Sequence, residues 1–411
     1  MSIQNESQRQ IMLSFAYLAY TGEFMTAKTN VEQTILDNIN KAMPKIPPIS
    51  GSAGTDAWKV VWGPGIYQVP GAVYQDNMMF MVQNQVDTSQ FAIAIRGTNF
   101  LSDLNWLMED FDVLQQVPWN YGHPQPGTTP VISEGASIGL HASLQMQGED
   151  VSGNKMTLVE CLQNQVNVQG AINVCVTGHS LGGMLCGTMA LYLHDNQSTW
   201  DSTGNSVISS ISFAAPSAGN VDFASYSDEV FSSLTPPPNW DSSLGTNMDR
   251  VACSLDAAPL FYKASNITQV QSGKTVSPLF DIYNLPGTGT DGIHGIDFTN
   301  LNFVSGAEWI VVLDNILPIF TNVLAPRDYA QVESTATPLA GTFKSLKSFS
   351  PPIDISTSDH DNNLSSYMKG FETQVAYQHS DSYPNILGVK ELLDKSIIVR
   401  NPAPVMANSM G

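Results

Sequence analysis

The run from Ile172 to Gly183, Ile-Asn-Val-Cys-Val-Thr-Gly-His-Ser-Leu-Gly-Gly, constrains this chain more than any other stretch. A short apolar segment, suited to a strand buried on both faces, leads into Gly178-x-Ser180-x-Gly182, and a helix-compatible segment follows. A serine held at such a strand–turn–helix junction sits in a strained backbone conformation that presents its Oγ. Side chains at 178 or 182 would collide with neighbouring backbone, so both positions need glycine. The helix that starts after Ser180 aims backbone N–H groups and the positive end of its dipole at negative charge developing beside the Oγ. The Leu181 N–H is the expected first donor. A glycine-rich turn of this kind also suits phosphate, but no Lys-Ser/Thr follows Gly183 and no G-x-G-x-x-G is present, which argues against nucleotides.

The flanking sequence places this turn in an alternating pattern. Strand-like runs occur at Met78–Val82, Phe91–Ile95, Ile172–Thr177, Val207–Phe213 and Val251–Ser254, with helical stretches such as Glu134–Gln147 and Gly182–His194 between them. Ser7–Tyr20 and Val31–Met43 read as N-terminal helices, and Pro44–Gly54 as a connector. Alternation of short apolar strands and helices predicts an α/β fold with a mostly parallel central sheet flanked by helices.

Charge narrows the partners. The 411 residues carry 17 Lys and Arg against 37 Asp and Glu, a formal charge of −20, which repels phosphate backbones and makes nucleic acid a poor partner. An uncharged ester meets no such barrier. The four cysteines, Cys161, Cys175, Cys186 and Cys253, show neither a disulfide framework nor zinc spacing. The most apolar long run, Ala307–Leu324, is broken by Glu308, Asp314, Asn315 and Pro318, and reads as an amphipathic helix ending near the proline. No secretory signal is visible at the N-terminus, which fits a cytoplasmic protein or export by a signal-independent route.

Four segments together resemble the class 3 lipase family, the group that includes the fungal triacylglycerol lipases. They are Ala94-Ile-Arg-Gly-Thr98, Gly178-His-Ser-Leu-Gly-Gly183, Phe213-Ala-Ala-Pro-Ser-Ala-Gly-Asn220 and Arg250-Val-Ala-Cys-Ser-Leu-Asp-Ala-Ala-Pro259. They fall between about Phe91 and Tyr262, under half the chain. Ala214 stands where the family usually has Gly, and Ser217 where it has Arg. The resemblance implies an α/β-hydrolase fold with N-terminal helices and cap or lid insertions, and places a second oxyanion donor on Thr98.

A serine hydroxyl is a weak nucleophile near neutral pH and needs a base, which in turn needs a carboxylate to fix its tautomer. In α/β-hydrolases the order along the chain is Ser, acid, His. Asp256, at the end of a predicted strand, fits the acid; Asp249 is the fallback but precedes that strand. Three histidines lie downstream. His379 is favoured because Val375, Tyr377 and Ile386 offer it packing, and because bacterial lipases of this class resemble its Tyr-Gln-His setting with a tyrosine four residues on. His360 sits among Asp359, Asp361 and Asn363 in a polar loop, and His294 in a surface turn. His179, beside the serine, reads as support.

The resulting expectation is a lipase or esterase acting on carboxylic esters of acylglycerol type through an acyl-enzyme, with Ser180, Asp256 and His379 as triad and Thr98 and Leu181 as oxyanion hole. Phospholipase A1 chemistry and a non-catalytic binding protein of the same fold are the alternatives. No metal or organic cofactor is required. The partners are an ester or lipid substrate and, transiently, a lipid interface; no sequence feature bears on oligomeric state. The whole chain, 1–411, reads as one hydrolase domain. Within it, 1–60 is the N-terminal helical segment, and 236–245 and 266–326 are candidate cap insertions. Phe100–Leu114, with Leu101, Leu104, Met108 and Phe111 at helical spacing, is either a core helix or a lid.

Overall fold

A computed structural model describes residues 8–23, 25, 30–50, 58–68, 77–97, 115–238, 240–241, 244, 246–263, 269–271, 274–276, 281–283, 329–333, 336–345, 348–349, 352 and 373–389. The candidate lid 100–114, Thr98, His294, His360, most of 266–326 and the tail 401–411 lie outside them.

Six strands form the central sheet: β1 (Trp58–Tyr67), β2 (Asn77–Asn84), β3 (Gln90–Ile95), β4 (Asn173–His179), β5 (Val207–Phe213) and β6 (Met248–Val251). They lie side by side in chain order. The pairs β1–β2 and β2–β3 are antiparallel, while β3 to β6 run parallel. Every residue of β4 from Val174 to His179 is buried. Because successive side chains point to opposite faces, both faces of β4 must be covered, as a parallel sheet requires. Each of Val174 and Val176 contributes about 1.5–3 kcal/mol by that burial.

The helices that flank this sheet are α1 (Gln8–Leu18), α2 (Val31–Ala42), α3 (Glu134–Gln145), α4 (Leu158–Gln169), α5 (Leu181–Asp195) and α6 (Val221–Ser233). Several starts are capped by the residue types that favour capping. Ser133 accepts the Ala136 amide, Asn220 accepts the Phe223 amide, and Thr157 with Glu160 forms a capping box. α5 differs: its N-cap is Ser180, whose side chain makes no cap bond. From Met12 to Leu18, α1 is buried on all sides, which explains why its apolar residues form no single stripe.

Two features depart from the sequence reading. β1 was not expected, because Gly63-Pro64-Gly65 interrupts it. The strand passes through them with register shifts between Val60 and Trp62 and between Trp62 and Gly65. β6 begins at Met248 rather than Val251, so Asp249 lies inside the strand and not before it. Its carboxylate is held by Arg9 of α1 through two bonds of 2.7 Å, which satisfies a buried charge. Near that same end of α1, the Asp241 amide donates to Gln8 Oε1. Asp241 is thus tied to the start of a helix about 15 Å long, near whose other end Tyr17 packs against His179.

The chain from Tyr329 to Glu333 closes over the edge of β6. Arg250 Nε donates to Val332 O at 3.0 Å, the Arg250 amide to Glu333 Oε2 at 2.7 Å, and the Glu333 amide to Asp228 Oδ1 at 2.9 Å. Burial pushes the Glu333 carboxyl up to about 7, partly opposed by the Arg250 amide. The folded protein therefore keeps a proton that the unfolded chain has lost, and stability falls as pH rises from the ordinary glutamate range to about 7, then levels. Glu333→Gln can keep the acceptor for the Arg250 amide without a charge. It should flatten that fall and unfold at higher urea than the wild type at pH 8; identical pH dependence in the two proteins would contradict this.

Candidate active site

At the end of β4 the chain turns through Ser180, whose φ of 61° and ψ of −127° put a residue with a Cβ in a region that normally favours glycine. The conformation is pinned on both sides. The Ser180 amide donates to Phe213 O at 2.9 Å in β5, and the Ser180 carbonyl accepts the Met184 amide, starting α5. A Cβ on Gly178 would run into the Gly182 carbonyl, and one on Gly182 into the Ile95 carbonyl, so the turn closes only with glycine at both. Since the Ser180 side chain does not cap α5, it leaves the helix's first N–H groups, including that of Leu181, at the Ser180 turn. The end of β3 passes beside the turn: Ile95 pairs with Gly178, and Gly97 lies against the Ser180 Cβ. Thr98 would be the next residue but lies outside the described part.

Ser180 is fully buried, and its Oγ has no hydrogen-bond partner among the described residues. A buried hydroxyl without a partner costs about 1–3 kcal/mol. Stability does not account for a serine here, so the side chain is retained for another reason.

Asp256 and His379 are brought together across 123 residues of sequence. The turn after β6 carries Asp256, and helix 373–380 carries His379; both side chains are fully buried. His379 Nδ1 lies 3.0 Å from Asp256 Oδ1 and 3.1 Å from Oδ2. A carboxylate accepts, so the proton of a neutral ring sits on Nδ1 and Nε2 is left with its lone pair. The carboxylate is itself held. Oδ1 accepts the Ala258 amide at 3.0 Å, and Oδ2 accepts the Tyr383 hydroxyl at 2.7 Å. Burial first, then the charge of Asp256, holds the Tyr383 phenol well above its usual range, so it stays a donor. Its oxygen in turn accepts the Cys253 amide at 2.9 Å. Burial likewise pushes the Cys253 thiol up to about 11, so it remains neutral. All four cysteines are free and buried.

The His179 ring lies 4.6 Å from that of His379. The turn bearing Ser180 and the helix bearing His379 are therefore neighbours. Of Tyr383 and Tyr20, which reach into this cluster, the first entered the sequence reading only as part of the pattern around His379 and the second not at all. A tyrosine four residues after the histidine was visible as a pattern, but nothing local connects Tyr20 to a residue 159 positions away.

The class 3 lipase family profile, "Lipase (class 3)", matches residues 92–259, a range that includes Ser180 and Asp256 and stops short of His379. Among solved structures, the chain is similar to M37 lipase, at 27% identity over 96% of each chain and a TM-score of 0.70. Lipase II from Rhizopus niveus aligns at 17% identity over 64% of this chain and 77% of its own, with a TM-score of 0.40. The Lip2 lipase of Yarrowia lipolytica aligns at 16% identity over 62% and 74%, with a TM-score of 0.41. No curated protein matches. The mostly parallel sheet with the serine turn at the end of its fourth strand is the α/β-hydrolase arrangement, and the part of the chain that builds this turn, residues 92–259, matches the class 3 lipase family.

Proposed function

We propose that the protein is a serine carboxylic ester hydrolase, a lipase or esterase of acylglycerol-type esters, with Ser180 as nucleophile, His379 as base and Asp256 as its orienting acid. The observation that carries this reading is the buried His379–Asp256 pair, its ring 4.6 Å from that of His179, next to a strained serine whose Oγ has no hydrogen-bond partner among the described residues. Ser180 Oγ attacks the ester carbonyl carbon and its proton passes to His379 Nε2. The resulting oxyanion is held by the Leu181 N–H and by Thr98. The C–O bond then breaks, and the alcohol leaves with the proton from His379. Water attacks the acyl-enzyme with His379 again as base, releasing the carboxylic acid and restoring Ser180. The reading keeps the chain as one domain, because α1 near its start and helix 373–380 near its end meet at the same site.

A fluorophosphonate probe tests this directly. Mass spectrometry of the treated protein should find the adduct on the peptide containing Ser180, and none on a Ser180→Ala variant. A folded wild-type protein that stays unlabelled and inert toward a panel of p-nitrophenyl esters would instead be a binding protein on a hydrolase frame.

The burial of Ser180 has a kinetic consequence, since a substrate must first gain access to the Oγ. The rate with tributyrin is expected to jump once the ester exceeds its solubility limit and forms an interface. Smooth saturation through that limit would identify an esterase for dissolved substrates.

A further inference from the structure

We infer that His179 is a positioning residue that fixes the backbone of His379, and that Tyr17 and Tyr20 make the N-terminal helix region part of the same clamp. This rests on Ser180 and His379 acting as nucleophile and base.

His179 is 4% exposed, and both of its ring nitrogens are engaged. Nε2 lies 2.7 Å from the backbone carbonyl oxygen of His379. A carbonyl can only accept, so Nε2 carries the proton and donates it. In the neutral ring Nδ1 then accepts, and the Tyr20 hydroxyl is placed to donate to it at 3.0 Å, with the His179 carbonyl also in reach of that hydroxyl at 3.2 Å. Tyr20 thereby selects the tautomer that holds His379. The Tyr17 hydroxyl donates to the carbonyl of Ser380, the next residue. Both carbonyls belong to the last turn of helix 373–380, where a helix leaves acceptors without internal partners. The rings of Tyr17 and Tyr383 pack against His179 at 5.1 Å and 5.8 Å.

His179 is bonded covalently to Ser180. Its side chain therefore ties the backbone of the nucleophile directly to the backbone of the base, while Asp256 holds the base by its ring. Two attachments fix the residue that must reach Ser180 Oγ: one through Nδ1 and one through the main-chain oxygen. With only the first, the ring keeps its tautomer, but its residue is free to shift relative to Ser180. Tyr20 also reaches the end of β3, because a Cβ on Gly97 would run into its hydroxyl and into the His179 carbonyl. One hydroxyl thus touches the nucleophile turn, the tautomer of the clamp and the strand that leads to Thr98.

The test uses the full chain and p-nitrophenyl butyrate, with kcat, KM and the acylation burst measured beside thermal melts. His179→Leu removes the donor while filling most of the space, and should lower kcat about tenfold to a hundredfold with KM little changed, the signature of a misplaced base and not of lost substrate binding. His179→Gln, whose amide Nε2 can donate to the same carbonyl, should recover most of that loss. Tyr20→Phe and Tyr17→Phe should each lower kcat by a smaller factor. A folded His179→Leu protein with wild-type kcat overturns the clamp. So does a His179→Gln protein as slow as the leucine variant at the same melting temperature, because packing and not the donor would then matter. If His179→Leu does not fold, the tyrosine variants decide, and wild-type kcat in both overturns the clamp. Ser180→Ala is run in parallel: full activity there removes the underlying reading, whereas its inactivity together with unaffected clamp variants removes this inference alone.

Discussion

Ser180→Ala is expected to lower ester turnover about a hundred-thousand- to a million-fold, because serine and its base act as a unit and the residual rate comes from binding and oxyanion stabilisation alone. The same substitution should leave the protein as stable as before, or more stable by about 1 kcal/mol. The Oγ is buried without a hydrogen-bond partner among the described residues, so replacing it with hydrogen removes a desolvated polar atom and breaks no observed bond. Backbone strain at φ 61° is unchanged, since alanine keeps the Cβ that makes this region costly. The expected pattern, inactive but not destabilised, is that of a residue kept for function at the expense of stability. Urea midpoints read the stability and p-nitrophenol release the activity. Near-normal turnover from the folded variant would remove Ser180 from the mechanism.

How much of this site can be read from sequence depends on how local each part is. The Ser180 turn is local: strand, two obligatory glycines and helix lie within a dozen residues, and the collisions that require Gly178 and Gly182 involve the turn's own backbone and the adjoining strand end at Ile95. Chain order points to Asp256 as the proposed acid, but the strand before it begins at Met248, three residues ahead of the apolar run that marks it in the sequence. Asp249 falls before the expected strand because charge is rare inside a buried one, and its partner there, Arg9, lies 240 positions away. β1 was missed for a related reason: Gly63 and Pro64 break the alternation that marks a strand, and the register shifts that absorb them depend on the partner strand β2. His179 could be read only as support, because its partners Tyr20 and the His379 carbonyl meet it through the tertiary fold. Pairwise contacts between distant segments leave no periodicity to detect.

His379→Ala should lose the acylation burst almost as completely as Ser180→Ala loses turnover, but with the opposite effect on stability. Without the imidazole no group takes the serine proton in the attack step, and mutual dependence of the two residues makes either loss nearly total. The structural consequences differ because the ring does have a partner. Asp256 is fully buried, and its carboxylate would keep the Ala258 amide and the Tyr383 hydroxyl but lose His379 Nδ1. Removing one donor from a buried carboxylate, and leaving a ring-sized cavity, should cost about 2–4 kcal/mol. Paired measurements of burst amplitude and urea midpoint therefore give each residue its own signature: Ser180→Ala silent and stable, His379→Ala silent and weakened. His360→Ala provides the control, since it should change turnover only modestly if His379 is the base. A normal burst from folded His379→Ala, with none from His360→Ala, would reverse the assignment and leave the buried His379–Asp256 pair as a purely structural bond.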